Sequence, residues 1–432
     1  MNRTAEAALP RGWYYGWNVV AATIVSQVAA NGLTYNAFSL FVHGWSADLR
    51  TPISQLQLAV AGMALVAALG SPIIGSFADR YPARRLFAAG LVGIGIFYVA
   101  ISMATSAWQI IALYGLLVPI ALGLCTSVTA NPLITRWFTR RLGLALGLSS
   151  FGVGMAGVLL PPIIAALLPE VGWRTIWRVG GIFVALVVMP LVVLVIRDRP
   201  TERDGLHYLT GDSVASQHPG HHASTAPGEQ AQHGLGWREV IARKNFWLLV
   251  FIYLPIMAGY GGIGQNLVPY VTSHGLSALA AGQLLSVLSL SHVVAALVLG
   301  MLSDRFGNRL PLAGLAVTVA AGAVVLALAT GLPAIALGCV LVGFGGGVFT
   351  LLAAAMAVEF GASDMGRAFG MGMFFIPLGS LSPFAVARAQ ESTGSYEPAL
   401  FCIMAIVLLS SVLSLFLFRE RARIAATATA AV

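Results

Sequence analysis

Gly75-Ser76-Phe77-Ala78-Asp79-Arg80-Tyr81-Pro82-Ala83-Arg84-Arg85 has a near copy further along the chain, Gly300-Met301-Leu302-Ser303-Asp304-Arg305-Phe306-Gly307-Asn308-Arg309. In both, a glycine precedes an aspartate by one helical turn and arginines follow, so glycine and aspartate share one face and the charges gather at the helix end. A nearly constant offset also relates Arg136 to Glu359, Gly143 to Gly366 and Gly147 to Gly370. Whole halves are therefore repeated, not one motif. Internal repeats in so apolar a chain are the usual ground plan of secondary transporters.

Hydrophobic residues make up 58% of the 432 positions and charged residues 9%, against roughly a quarter charged in an ordinary soluble domain. A helix needs about 20 apolar residues to cross a hydrocarbon core of roughly 30 Å. Twelve stretches qualify, at about residues 17–45, 54–78, 85–105, 107–135, 142–168, 175–196, 246–273, 278–302, 310–330, 333–358, 367–391 and 398–418. They are numbered here as spans one to twelve. The fold class that follows is an all-α integral membrane protein: twelve transmembrane helices in two six-helix bundles related by an internal repeat. The first sixteen residues hold no hydrophobic run and span one has no small-residue cleavage site, so no cleavable signal peptide is expected.

The net charge of +8 does not form one patch. With both termini inside, all of the 24 Lys and Arg except Arg50, Arg174, Arg178 and Arg388 fall on the inner side. That is the positive-inside pattern for an even number of spans, and it makes nucleic acid an unnecessary partner. The division that results is a cytoplasmic tail over 1–16, a bundle over 17–196, a flexible cytoplasmic linker over 197–245, a second bundle over 246–418 and a cytoplasmic tail over 419–432. The expected location is multi-pass in a cell membrane, the bacterial inner membrane, as a monomer in lipid. The linker is rich in Gly, Ser, Pro and charged residues, a composition that cannot bury enough apolar surface to fold alone, with one amphipathic turn near Trp237. Its His218, His221, His222 and His233 lack Cys or carboxylate at ligand spacing, so a solvated linker is preferred to a metal site. No metal and no cofactor is expected. Cys125, Cys339 and Cys402 lie inside apolar stretches and read as small packing residues.

Small residues crowd the spans, notably Gly152-Val153-Gly154-Met155-Ala156-Gly157 in span five and Gly343, Gly345, Gly346 and Gly347 in span ten. The first matches a dinucleotide-binding pattern, but it follows no strand and sits within lipid, so it reads as a packing face. The duplicated motif reads as a latch. Gly75 permits close helix contact, Asp79 accepts from the N–H groups at a neighbouring helix start, and Arg84 or Arg85 pairs with nearby carboxylates. Plain interfacial charge is the bland alternative, and the repetition at Gly300, Asp304, Arg305 and Arg309 weakens it.

With these residues in view, the chain resembles the major facilitator superfamily, whose loops after spans two and eight carry this pattern, and the likeness covers essentially all of it. The resemblance implies two six-helix bundles rocking about a central site, with the motif stabilising the outward-open form. It also implies that Arg80, Arg136 and Glu359 join the cytoplasmic gate, though snorkelling end charges would look alike. A narrower likeness follows. Trp137-Phe138-Thr139-Arg140-Arg141-Leu142-Gly143-Leu144-Ala145-Leu146-Gly147-Leu148-Ser149-Ser150-Phe151-Gly152 is similar to the span-five pattern of the monocarboxylate transporter family, and Tyr15-Gly16-Trp17-Asn18-Val19-Val20 resembles that family's opening motif. This implies a carrier of small organic acids, with Arg140 and Arg141 at the inner gate. The chain departs from the family at its charges. The lysine that animal members carry in span one falls near Tyr35, and their span-eight aspartate and arginine fall on His292 and Ala296.

Without a fixed cation deep in the spans, carboxylate binding must rely on hydroxyls, amides, a helix N-terminus or a protonated His292. His292 is the only one of eight histidines well inside a span. An ionisable group at that depth usually lines a cavity or proton path, and an imidazole titrates near pH 6.5 when unperturbed. A neutral histidine bonded to a carbonyl or hydroxyl remains the competing reading. Asn31 and Tyr35 in span one, Thr126 and Ser127 in span four and Tyr260 in span seven are candidate cavity-lining groups, any of which could instead bridge helices. Phe344 and Phe374 are candidates to close the pocket, or simple packing aromatics.

The expected activity is secondary active transport of a small organic anion, a monocarboxylate, by alternating access with proton-coupled uptake and no covalent catalysis. No Walker motif is present to use ATP. The alternatives are a proton-driven efflux pump and a transporter-like membrane sensor. The glycines of span five are not followed by the Gly-Pro pairing of antiporters, and the linker holds no output domain.

Overall fold

The computed structural model describes residues 14–138, 142–200 and 237–417. Most of the linker and both tails, with Arg140, Arg141 and the linker histidines, lie outside the described residues. Among the described residues every element is helical. Among the described residues, ten helices are long and apolar enough to cross a membrane. One of them, Leu144–Val195, runs 52 residues and holds spans five and six, turning back at Gly172 with φ +72°. Span one escapes the length criterion because it is built of three pieces, Gly16–Asn31, a π-helical Gly32–Asn36, and Phe38–Leu49.

Several expected single helices are thus interrupted. Span four breaks at Thr126 (φ −121°, ψ −150°), between Val118–Cys125 and Ser127–Trp137, and Pro132 denies the second piece one internal N–H. Span seven breaks at Asn266, between Lys244–Gln265 and Leu267–Ser273. Span ten tightens to a 3-10 turn over Phe344–Gly347. The loop expected between spans ten and eleven is instead helical, Val348–Met373. Apolar periodicity cannot show such breaks, because it reports which face of a helix is apolar and not where the backbone leaves α geometry. In the linker, the turn expected near Trp237 is the short helix Trp237–Ala242.

Packing follows the glycines. A Cβ on Gly152 would meet Ile24 O of span one at 2.9 Å, and one on Gly157 would meet Ser289 Oγ of span eight at 2.4 Å, so the expected packing face in span five is used on both sides. Spans five and eight cross closely, with Ser286 Oγ donating to Val158 O at 2.6 Å. In the first half, Trp45, Tyr114, Trp177, Tyr98 and Phe41 form a buried aromatic cluster with ring centres 4.9–5.9 Å apart. Cys125 and Cys339 are buried as expected, but Cys402 is exposed.

The hydrogen bonds between the two halves gather at one end, away from Gly75 and Gly300. Ser39 Oγ accepts from Val268 N at 3.2 Å, and His43 Nε2 lies 3.0 Å from Thr272 Oγ1. Gln57 Nε2 donates to Gln265 O at 2.9 Å, Gln265 Nε2 donates to Tyr35 O at 3.4 Å, and Ser54 bonds Glu391. At the opposite, arginine-rich end, a Cβ on Gly75, Gly147 or Gly370 would meet nothing within 4 Å. The protein is sealed at one end and slack at the other.

Candidate functional site

Spans one, four, seven and ten are each interrupted, and the interruptions adjoin Tyr35, Ser127, Gln265 and, at Gly346, the His292 ring. Irregular backbone at membrane depth survives only where it is buried in protein or lines a cavity, so these breaks mark a site. The π turn of span one turns Tyr35 and Asn36 toward Tyr260, Gln265 and Ser289, and together these residues line a cavity of about 30 Å³. The cavity lies at the sealed side.

Beside it, Tyr260 Oη lies 3.2 Å from His292 Nδ1, and the two rings meet edge to face at 5.5 Å. His292 sits mid-length in the helix Ala278–Phe306 and rests on the 3-10 turn of span ten, where Gly346 leaves room for the imidazole. On the other side of the cavity, Asn36 Nδ2 donates to Asn31 O at 3.3 Å, and Asn31 Nδ2 donates to Gln27 O at 3.0 Å. Gln27 Nε2 donates to Ser127 Oγ at 2.8 Å. A polar belt thus runs from Ser127 through Gln27, Asn31 and Asn36 to Tyr260 and His292.

Of the residues singled out in the sequence, the belt collects Asn31, Ser127, Tyr35, Tyr260 and His292. Thr126 marks the helix break and bonds its own span, Oγ1 to Leu122 O at 2.7 Å. Phe344 opens the 3-10 turn and is half-buried. Phe374 is 59% exposed, so it closes no pocket in this conformation. Sequence reasoning missed Gln27, Asn36, Gln265 and Ser289. Gln27 carried a signal, since a glutamine one turn before Asn31 in an apolar span must find a partner.

At the arginine-rich end, bonds among the described residues lie within each half. Glu359, 6% exposed, accepts from Asn245 Nδ2 at 2.9 Å, and its carbonyl accepts from Arg243 Nη1 at 3.1 Å. Arg136 Nη2 reaches Ala78 O at 3.5 Å, so Arg136 and Glu359 are not paired here. Arg84 N donates to Asp198 Oδ1 at 3.3 Å, and a cleft of about 650 Å³ is lined by Arg80, Arg136, Asp198 and Arg199. Arg85, Asp304 and Arg305 are exposed, and Arg309 is half-buried with its Nε lacking a hydrogen-bond partner. Asp79 is placed by its backbone, at the end of the helix Ile53–Arg80. The close approach expected at Gly75 is not made here, and the nearest group to a Cβ on Gly300 is Thr350 Cγ2 at 3.8 Å.

The two stretches behind the narrower likeness meet each other. Trp17 and Phe138 have ring centres 4.9 Å apart, Tyr15 and Trp137 5.7 Å, and Tyr14 Oη donates to Trp137 O. They form an aromatic clasp between spans one and four at the arginine-rich end, while Gly152, at the far end of the longer stretch, packs against Gln27 of the belt.

A helical chain with broken central spans, a polar belt between its halves and one sealed end has the geometry of a carrier. The family model described as Major Facilitator Superfamily matches residues 24–383. The chain belongs to this superfamily. It is a multi-pass membrane transporter and not an enzyme. It is 26% identical over 378 residues to the uncharacterized MFS-type transporter YhjX of Escherichia coli, covering 84% of this chain and 86% of that protein. The uncharacterized MFS-type transporter YcxA of Bacillus subtilis is 24% identical over 303 residues, covering 68% of this chain and 66% of that protein. Among solved structures, a bacterial homologue of the human lysosomal transporter Spinster, in an inward-facing and occupied conformation, superposes with a TM-score of 0.70 at 15% identity over 94% of this chain and 96% of that one. At that identity the likeness speaks for the fold alone.

Proposed function

We propose that this superfamily member takes up a small monocarboxylate together with a proton, by alternating access, across a bacterial inner membrane, with both termini in the cytoplasm. The observation that carries the reading is the Tyr260–His292 pair, an ionisable ring held mid-membrane beside a polar belt between the halves. The arginine-rich end is then cytoplasmic, and the conformation described here is open inward.

The chemistry follows from the cost of charge in a low dielectric. A bare carboxylate carried through this environment is prohibitive, and so is a bare imidazolium. Together they form a neutral, hydrogen-bonded pair, so anion and proton are best bound as a unit. Tyr35, Asn36, Asn31 and Tyr260 supply the donors and acceptors that orient the solute, and Gln27 holds Asn31 in place. In the reverse step the empty carrier returns with His292 neutral. On this reading Gly75, Asp79, Arg80, Arg84, Arg85, Arg136, Arg140, Arg141, Gly300, Asp304, Arg305, Arg309 and Glu359 belong to the cytoplasmic gate, which engages when the halves close inward.

The test is flux. Purified protein in proteoliposomes accumulates labelled short-chain monocarboxylates when the outside is made acid, and an ionophore that collapses the pH gradient stops it. Thermal-shift screening at two pH values shows stabilisation by monocarboxylates that is stronger at the lower pH. A substrate that accumulates only against an opposing proton gradient, or stabilisation confined to cations, would overturn the proposal.

A further inference from the structure

Span two begins without a cap of its own. Pro52 occupies the N-cap position and offers no side-chain oxygen, although the first N–H groups of any helix lack partners within it. The partner comes from the other half. Glu391, in the last turn of Ser382–Thr393, accepts Ser54 N–H with Oε1 at 2.9 Å and Ser54 Oγ–H with Oε2 at 2.6 Å. Ser54 is 5% exposed and the Glu391 side chain 20%. Arg388 lies 3.6 Å from the same carboxylate, but its side chain is 67% exposed, so that contact is screened by water. Elsewhere the seam joins amides, hydroxyls, carbonyls and the His43 ring. Glu391 brings a carboxylate to it, at the positive end of the span-two dipole.

We propose that Glu391 is the latch that keeps this end shut, a carboxylate of one half capping a helix of the other. The start of span two is satisfied by protein only while the halves are closed here, and opening hands Ser54 N–H to water. The inference rests on the reading that the halves alternate. It also pairs spans two and eleven as partners with acidic residues at opposite ends, Glu391 on span eleven here and Asp79 on span two at the arginine-rich end.

The test measures distances across this end by pulsed electron spin resonance on the full chain in nanodiscs. Labels go on Ala47→Cys and Leu279→Cys, both exposed, with Cys402→Ser removing the exposed native thiol. Glu391→Ala raises the ratio of open to closed distances about fivefold to thirtyfold, the range that loss of a good helix cap corresponds to. Glu391→Gln keeps the shape and one acceptor and gives a smaller rise. Pro52→Ser provides span two with its own hydroxyl cap for the same N–H, so it also raises the ratio, without lowering the melting temperature. A merely structural Glu391 predicts no rise from Pro52→Ser, and that variant carries the test alone if Glu391→Ala fails to fold. If the wild-type protein shows both distances and neither variant moves their ratio, the latch is wrong while alternation stands. If no variant, pH or solute ever yields a second distance, alternation itself is wrong, and the latch with it.

Discussion

His292→Ala abolishes uphill, proton-driven uptake into sealed proteoliposomes and strongly slows solute exchange. Both need the loaded carrier to cross, and on the proposed chemistry the carboxylate crosses only as a pair with the protonated ring. The geometry explains why His292 is the residue to test. It is an ionisable ring at mid-span, anchored at 3.2 Å by Tyr260, which in turn lines the cavity with Tyr35 and Asn36. With alanine there, a carboxylate entering the belt meets only neutral donors, and its charge is left uncompensated. The accumulated ratio falls to that of passive distribution. Unchanged accumulation in the variant removes His292 from coupling and leaves it as a buried bridge to span seven.

Gly346→Val has the second large effect. A Cβ at this position would lie 2.4, 2.6 and 2.7 Å from three ring atoms of His292. No real Cβ tolerates such approaches, so either the imidazole swings off Tyr260 or spans eight and ten part. Overpacking of this kind costs about 1–3 kcal/mol, and here a branched side chain is forced against a ring already held on its other side. The expected result is a melting temperature lower by several degrees together with loss of transport. Gly370→Val is the control, because a Cβ on Gly370 meets nothing within 4 Å, and both its melting temperature and transport stay near wild type. Equal behaviour of the two variants would show that the packing of span ten on His292 is not what the close distances imply.

The fold was largely legible because two independent patterns agreed. Long apolar stretches marked the crossings, and the copy of the Gly75 motif at Gly300 showed that the crossings come in repeated sets. What hydropathy cannot report is where a helix stops being an α-helix. The polar residues at Gly32–Asn36 and at Thr126 do not announce a change of helix type, yet the π turn of span one brings Tyr35 and Asn36 to the cavity. The central histidine was legible because a lone ionisable group in lipid stands out. Its neighbours Asn36 and Ser289 were not, because membership of the site depends on helix rotation, which apolar content does not fix. Phe374 shows the opposite failure, an aromatic placed in the pocket by type that is 59% exposed. Of the residues that carry the narrower likeness, Trp17 and Phe138 pack in a clasp at the arginine-rich end, while Gly152 packs against Gln27.

The two ends of the molecule are held by unlike forces. The sealed end joins its halves chiefly through uncharged hydrogen bonds, such as Gln57 to Gln265 and Ser39 to Val268. The other end bristles with arginines, among them Arg80, Arg84, Arg85 and Arg305, all exposed. Dissolved electrolyte shortens the reach of exposed ions to about 8 Å at physiological strength and to roughly 3 Å at 1 M, while bonds between neutral dipoles are almost indifferent to it. Concentrated buffer therefore blunts whatever ionic clasp the arginine-rich end makes when it shuts, and biases the carrier toward the shape described here.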